Sequence, residues 1–254
     1  MSERGKYVVF EGVDGTGKSF QASWMHSKLK RTGIPVAPFL VEEPDGAVKV
    51  DSAWEMFPLD KLTDEDREAR SLVPAATALR KIVKSKSMGL TPEANQLIFT
   101  SARIMNWEQA IWPALESGLT VPTARNYWST LVYNCIAEGK PTDEVERMTR
   151  TFLGEVYTEP DFGIILDIED EEGRQERLEK READSTLDAF ESRGSDYQQR
   201  IRLGYRTLSA MKNIPLLSFH SQTQPEVVHN TIVDLINEKG IFDQKIRHSS
   251  TKIY

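Results

Sequence analysis

The chain has 254 residues, 39% of them hydrophobic, which suits one domain with a substantial core. Its 39 acidic and 32 basic residues give a net charge of −7, so it gains no long-range attraction to nucleic-acid polymers. A single cysteine, Cys135, excludes an intrachain disulfide and a cysteine-built metal site, and no apolar run approaches the ~20 residues of a membrane span.

The polar start, Met1 to Lys6, runs straight into a strand-like segment, so no signal peptide is expected and a soluble, cytoplasmic chain fits best. Tyr7-Val8-Val9-Phe10 reads as a buried strand, followed by a Gly-rich turn and a helix from about Lys18 to Arg31, with Gly33 as its stop. Pro35 to Val41 gives a second strand. Val48 to Pro74 is acid-rich without a clean period and reads as an inserted loop or small subdomain. Thr91-Pro92-Glu93 starts a helix, Thr91 as cap and Pro92 in the first position, which runs to Glu116 before Gly118. Leu119 to Pro122 is a third, weaker strand because of Pro122. Phe162 to Ile168 and Leu216 to Phe219 are further strands, Glu169 to Gly194 is densely charged, and Pro225 to Lys239 is a closing helix. Such alternation of strands and helices implies an α/β fold, a parallel five-stranded sheet with helices on both faces in three layers. Residues 1–240 form the single expected domain and 241–254 a flexible tail.

Gly12-Val13-Asp14-Gly15-Thr16-Gly17-Lys18-Ser19 matches G-x-x-x-x-G-K-[ST] in full, between a strand and a helix. In such a P-loop the glycines allow backbone N–H groups to wrap phosphate oxygens, and the helix N-terminus adds partial positive charge. Lys18 would reach the β- and γ-phosphates, and Ser19 would ligate Mg²⁺. The motif implies ATP or GTP binding but does not name the acceptor.

On the helix from Thr91, taken at 100° per residue, Leu97, Ile104, Ile111 and Leu115 align in one stripe, the expected core face. Phe99 and Arg103, four apart, share a face roughly opposite, flanked by Gln96 and Asn106. That face could stack a base and hold a phosphate, or pack against the inserted segment with Arg103 in a surface ion pair.

Beyond the phosphate loop, several runs resemble the thymidylate kinase family. Phe10 to Ser19 is similar to the family's opening, and Glu43-Pro44-Asp45-Gly46 to its E-P-G-G turn. Leu90-Thr91-Pro92-Glu93-Ala94 with Leu97-Ile98-Phe99 and Ala102-Arg103 resembles L-S-P-E-A…L-L-F-x-A-x-R, and Trp112-Pro113-Ala114-Leu115 its R-P-A-L end. Ser129-Thr130-Leu131-Val132-Tyr133, Pro160-Asp161 with Leu166-Asp167, and Asp188-Ala189-Phe190-Glu191 with Arg202-Leu203-Gly204-Tyr205 come next in family order. The resemblance covers Tyr7 to about Glu238 and lies in the order and spacing of its motifs.

It implies a P-loop NTPase fold with a helical lid, and Mg²⁺-dependent transfer of a phosphoryl group from ATP to a deoxynucleoside monophosphate, dTMP giving dTDP first of all. Lys18, Arg125 and Arg103 would be catalytic. Gly12, Gly15, Thr16, Gly17, Lys18 and Ser19 would hold ATP, with Ser19 on the metal. Phe99 would stack on the acceptor base, Arg103 and Arg125 would hold its monophosphate, and Asp14 would accept a hydrogen bond from the sugar 3′-hydroxyl. Thr130 would sit at the base edge and Tyr133 near the sugar 2′ position, with Glu43 and Pro44 also lining the acceptor site. Gly15 stands where one form of the family carries an Arg, so the chain resembles the form whose lid, here within 174–194, supplies arginines, with Arg174, Arg177 and Arg181 as candidates. A homodimer is also implied.

The chain departs from the family where Asp-Arg-[Tyr/Phe/His] is expected and Ala124-Arg125-Asn126-Tyr127 stands. Either Ser19 and water alone hold Mg²⁺, another acid has moved in, or activity is weakened. Glu42 replaces an Arg before E-P, and Ala189 replaces the Arg of D-R-I-E. A different or modified pyrimidine deoxynucleotide as acceptor, or a catalytically impaired nucleotide-binding protein, are the alternatives these changes leave open. A GTPase switch lacks support, since no N-K-x-D motif is present.

Overall fold

Successive residues of a strand face opposite sides of its sheet, and β1 (Tyr7–Gly12) is buried throughout, so it belongs at the centre of a sheet covered on both faces. The computed structural model describes residues 3–50, 62–85, 88–182 and 195–248. The other strands are β2 (Phe39–Glu42), β3 (Gly46–Lys49), β4 (Val121–Ala124), β5 (Phe162–Ile168) and β6 (Leu216–Phe219). They form one six-stranded sheet in the order β3-β2-β4-β1-β5-β6. β2, β4, β1, β5 and β6 are mutually parallel, as expected. The sixth strand, β3, is a correction to the five-stranded expectation: it pairs antiparallel with β2 across the Glu43-Pro44-Asp45 turn and makes an edge.

The alternation in β1 divides the core. Val8 and Phe10 pack with Met25 and Leu29 of α1 (Lys18–Arg31) and with Val228, Ile232 and Ile236 of α10 (Pro225–Glu238). Tyr7 and Val9 face the other way. They pack with Ala102 of α4 (Pro92–Asn106), Leu115 of α5 (Trp112–Glu116), Tyr157 of α7 (Asp143–Thr158) and Ile201 of α9 (Ser195–Lys212). Helices therefore cover both faces, giving the three expected layers. The other α-helices among the described residues are α2 (Asp64–Arg70), α3 (Pro74–Lys84), the short α6 (Trp128–Thr130) and α8 (Glu171–Glu182).

β4 retains Pro122 at an inner position. The N–H of Val121 donates to Lys6 on the β1 side, so the nitrogen of Pro122 faces the β2 side, where pairing is interrupted between the Val36–Thr120 bridge and Thr123. A missing donor there breaks no bond.

The expected core stripe holds at Ile111 and Leu115, which are fully buried, and at Ile104, which packs on the core, but is corrected at Leu97. Leu97 is 58% exposed, whereas Thr100, Ala102, Arg103 and Asn106 are buried. A π-helical turn over Trp107–Ile111 separates α4 from α5. It adds one residue to a turn and rotates the helix beyond it by about 100°, so Leu97 cannot share a face with Ile111 and Leu115. The Arg103 face, expected to point outward, is covered by the loop after β4 and the β2–β3 turn.

Of the segment 48–74, the described part holds the end of β3 and α2, whose N-cap Thr63 accepts from the Asp66 N–H at 3.1 Å. Residues 51–61 lie outside the described residues. So do 183–194 of the expected lid, which is helical in α8 over its described part. Residues 241–248, expected as flexible tail, are docked instead: Ile246 is buried with the α1/α10 side of the core, and its N–H and C=O bond the Asn237 side chain at 2.9 and 2.8 Å. No described helix is long and apolar enough to cross a membrane.

Candidate active site

The phosphate loop leaves the C-terminal end of β1 and enters α1. At Gly12, with φ +142°, a Cβ would meet the Leu166 carbonyl oxygen of β5 at 2.3 Å, so no side chain fits beside that strand. Gly15, with φ +89°, lies under α8, where a Cβ would touch Arg174 and Leu178 at 3.3 Å. Thr16 closes the turn by donating from Oγ1 to the Val13 carbonyl at 2.8 Å. Lys18 is buried and its Nζ lies 2.8 Å from Asp14 Oδ1. Ser19 Oγ donates to Glu42 Oε1 at the end of β2, at 2.7 Å.

Arg125 comes directly after β4 with φ +69°, an uncommon backbone conformation for a side-chain-bearing residue and one that clusters at functional sites. Its backbone is fixed by the 2.8 Å bond from its N–H to Phe10 C=O, and its guanidinium pairs with Asp14. Burial opposes the charge on Arg125, but the Asp14 carboxylate, together with Tyr133, Tyr205 and Glu11, outweighs it and holds the pKa above the ordinary value. Glu11, fully buried, anchors the loop that carries Arg125. It accepts from the Asn126 N–H at 2.9 Å, the Ser129 N–H at 3.1 Å and the Tyr205 hydroxyl at 2.9 Å.

Asp14, Arg125, Ser129, Tyr133, Pro44, Phe99, Arg103 and Thr130 line one cleft of about 530 Å³, counting the space open to solvent. Arg103 donates from Nη1 to Thr130 Oγ1 at 2.7 Å and from Nη2 to the Asn126 carbonyl at 3.2 Å, and its Nε lies 3.2 Å from Glu43 Oε2. The guanidiniums of Arg103 and Arg80 lie 5.9 and 6.0 Å from the centroid of the Phe99 ring. Glu43 is buried and also accepts from the Tyr157 hydroxyl; burial pushes its carboxyl up to about 7 despite Arg103 beside it. Burial, then the Asp14 charge, push the Tyr133 phenol up, so it stays a neutral donor.

The structure thus brings together Asp14, Pro44, Phe99, Arg103, Arg125, Thr130 and Tyr133 around one cleft, and Gly12, Gly15, Thr16, Gly17, Lys18 and Ser19 around the adjoining loop. Glu43, expected among the lining residues, does not line the cleft and is instead buried against Arg103. The lid arginines divide. Arg174, 1% exposed, donates to the Asp14 carbonyl at 3.0 Å and pairs with Glu171. Arg177 instead donates to the Ser221 carbonyl, away from the loop. Arg181 belongs to α8, but its side chain lies outside the described residues.

Three residues are not legible as site residues in the sequence. Arg80 of α3 pairs with Asp45 beside the cleft, and Arg67 of α2 reaches Glu42 at 2.9 Å and Asp45 at 3.3 Å. Burial pushes Glu42 up, yet Arg67 holds its carboxyl below the usual range; Asp45 is likewise held low by Arg80 and Arg67 against its own burial. Asp167, at the end of β5, is matched by Arg202 at 2.7 Å and Arg206 at 2.6 Å.

The family model described as "Thymidylate kinase" matches residues 62–232. Among curated relatives, the chain is similar to the thymidylate kinase of Pelotomaculum thermopropionicum, 29% identical over 82% of this chain and 81% of that protein. It is also similar to the thymidylate kinase of Bradyrhizobium sp. (strain ORS 278), 28% identical over 93% of this chain and 91% of that one. Among solved structures, thymidylate kinase from Ehrlichia chaffeensis superposes with a TM-score of 0.59 at 17% identity, covering 92% of this chain and 99% of that one, a likeness of fold.

Proposed function

The chain belongs to the thymidylate kinase family, and on that premise we propose that it transfers the γ-phosphoryl group of ATP to dTMP, giving ADP and dTDP. One observation carries this reading: the cleft that holds Phe99, Arg103 and Thr130 opens directly onto the phosphate loop through Asp14 and Arg125. Two phosphate-binding regions that meet at one ion pair suit in-line transfer, which needs alignment and charge neutralisation and no covalent protein intermediate.

The loop amides of residues 12–19 and the start of α1 cradle the triphosphate, and Lys18 leaves Asp14 to reach its oxygens. Arg125 serves the acceptor phosphate at the junction. Arg103 is read differently from the sequence expectation. Its 2.7 Å bond to Thr130 and its place over the Phe99 ring suit the base edge. Phe99 stacks on the base, Tyr133 lies along the sugar, and α8 with Arg174 covers the loop.

Ser19 fits Mg²⁺: its hydroxyl is a hard oxygen donor at the phosphate loop with a carboxylate 2.7 Å away. When bound, Mg²⁺ supplies charge neutralisation on the transferring phosphates.

Cytoplasmic placement and pairing as a homodimer belong to the same proposal, the former supported by the lone cysteine, Cys135, a buried free thiol. A coupled ADP-release assay across the common deoxynucleoside monophosphates, with modified pyrimidines included, tests the reading. Turnover highest with dTMP is expected. Turnover only with a modified pyrimidine would move the acceptor, and none with any pyrimidine deoxynucleotide would end the kinase assignment.

A further inference from the structure

The position that the family resemblance assigns to a metal-site aspartate is Ala124, whose methyl group is fully buried. Ala124 is the last residue of β4, and its register partner on the adjacent parallel strand is Glu42, the last residue of β2. The Glu43 N–H, one residue on, donates to the Ala124 carbonyl at 2.8 Å and locks the two strand ends together. Register partners on neighbouring strands carry their side chains to the same face, about 4.8 Å apart. Glu42 thus delivers a carboxylate from the next strand to the face on which residue 124 has only a methyl, and its Oε1 sits 2.7 Å from Ser19 Oγ.

The other acids near the loop are committed elsewhere. Asp14 is paired with Lys18 and Arg125. Asp167 is matched by Arg202 and Arg206. Glu11 is saturated by the backbone and hydroxyl donors of the 126–129 loop and Tyr205. Glu42 divides its two oxygens: Oε2 takes the guanidinium of Arg67 at 2.9 Å, which fixes its direction, while Oε1 takes the Ser19 hydroxyl, itself the loop's metal donor. We propose that Glu42, held by Arg67, supplies the acidic oxygen of the Mg²⁺ site that Ala124 cannot supply. The charge has moved one strand across the sheet, and the inserted α2 provides the arginine that orients it.

This inference rests on the proposed kinase reading, and the test separates the two. ADP binding is measured by calorimetry in EDTA and in Mg²⁺, and the ratio of the two Kd values reports the metal's contribution without turnover. For Glu42→Gln the ratio should fall roughly tenfold, the order of loss when a carboxylate serving a metal site is removed. Adding Ala124→Asp to that variant should restore it. Arg67→Met leaves the carboxylate in place and should change the ratio less than Glu42→Gln does. A ratio unchanged by Glu42→Gln overturns the inference while leaving the kinase reading intact, whereas no ADP binding by the unmutated protein overturns both. A measurement on the unmutated protein guards against a variant that fails to fold. With glutamate carboxyls labelled with ¹³C, the Mn²⁺–ADP complex should show a ¹³C hyperfine coupling by electron–nuclear double resonance, and the absence of any such coupling also overturns the inference.

Discussion

Phe99→Ala probes the acceptor end of the cleft. The ring is half-buried on α4, with guanidiniums 5.9 and 6.0 Å from its centroid and its remaining face on the cleft. Stacking of a base on an aromatic side chain is worth about 1–3 kcal/mol, which is roughly a 5- to 150-fold change in an equilibrium constant. The flanking cation–π contacts, about 0.5–1 kcal/mol each at such sites, hold the ring in position in the free protein and add little to the difference. KM for dTMP should therefore rise at least fivefold, with KM for ATP changed less than twofold. Because the ring is only half-buried, Tm should fall by no more than about 4 °C, the shift that ~1 kcal/mol produces in a chain of this size. Phe99→Tyr, which keeps the ring, should retain most of the affinity. Initial rates from coupled ADP release with each substrate varied, and a melting curve for each variant, give all the numbers. An acceptor KM within twofold of the unmutated value, or an equal rise in both KM values, would refute the placement of the base on this ring.

Four further outcomes are expected. Lys18→Ala should reduce kcat by roughly 10²–10³-fold, the cost of removing one preorganised group that stabilises transition-state charge, with circular dichroism unchanged; a smaller loss in the same assay would remove Lys18 from the chemistry. Gly12→Ala puts a Cβ 2.3 Å from the Leu166 carbonyl and should cost about 3 kcal/mol, read as a fall in the urea midpoint; wild-type stability would mean the loop and β5 are further apart than described. Ile246→Ala should cost about 2–5 kcal/mol in the same titration if the C-terminal segment is docked on α1 and α10, and nothing if it is not. His229 is stacked on Trp24 at 4.3 Å, and burial, then the charge of Lys28, lower its pKa to about 3 from an ordinary 6.5. The fold keeps it neutral, so its contribution is complete above pH 6.5 and is lost as pH falls towards 3; His229→Phe should lose up to ~5 kcal/mol less stability over that window, and parallel stability curves would contradict the shift.

The local elements were the most legible. The phosphate loop, β1, β5, α1 and α10 carry their own signals, glycines at fixed spacing, short continuous apolar runs and helix-terminal residues, and the structure reproduces each. Elements set by neighbours were less so. Pro122 weakens the strand signal of β4, and only the pairing pattern, which turns its nitrogen to a gap in the ladder, makes it tolerable. β3 is four residues stabilised by hairpin pairing with β2 and by the contact of Val48 with Leu40 and with Leu62, which lies beyond the strand in the inserted segment. The π-helical turn after Asn106 shifts the helical phase without a sequence marker, which is why Leu97 faces solvent and Arg103 the cleft. At the site, motif residues could be matched one by one, but their partners could not. Arg67 and Arg80 come from helices in or next to the inserted segment, and only the fold brings them to Glu42, Asp45 and Phe99.

The most direct test of two nucleotide pockets meeting at the Asp14–Arg125 pair is the calorimetric affinity of a bisubstrate compound, adenosine and thymidine joined through their 5′ oxygens by five phosphates. It should bind more tightly than either ATP or dTMP alone, and Lys18→Ala and Phe99→Ala should each weaken it. Binding no tighter than that of ATP, or insensitive to Phe99→Ala, would show that the two pockets do not act as one site.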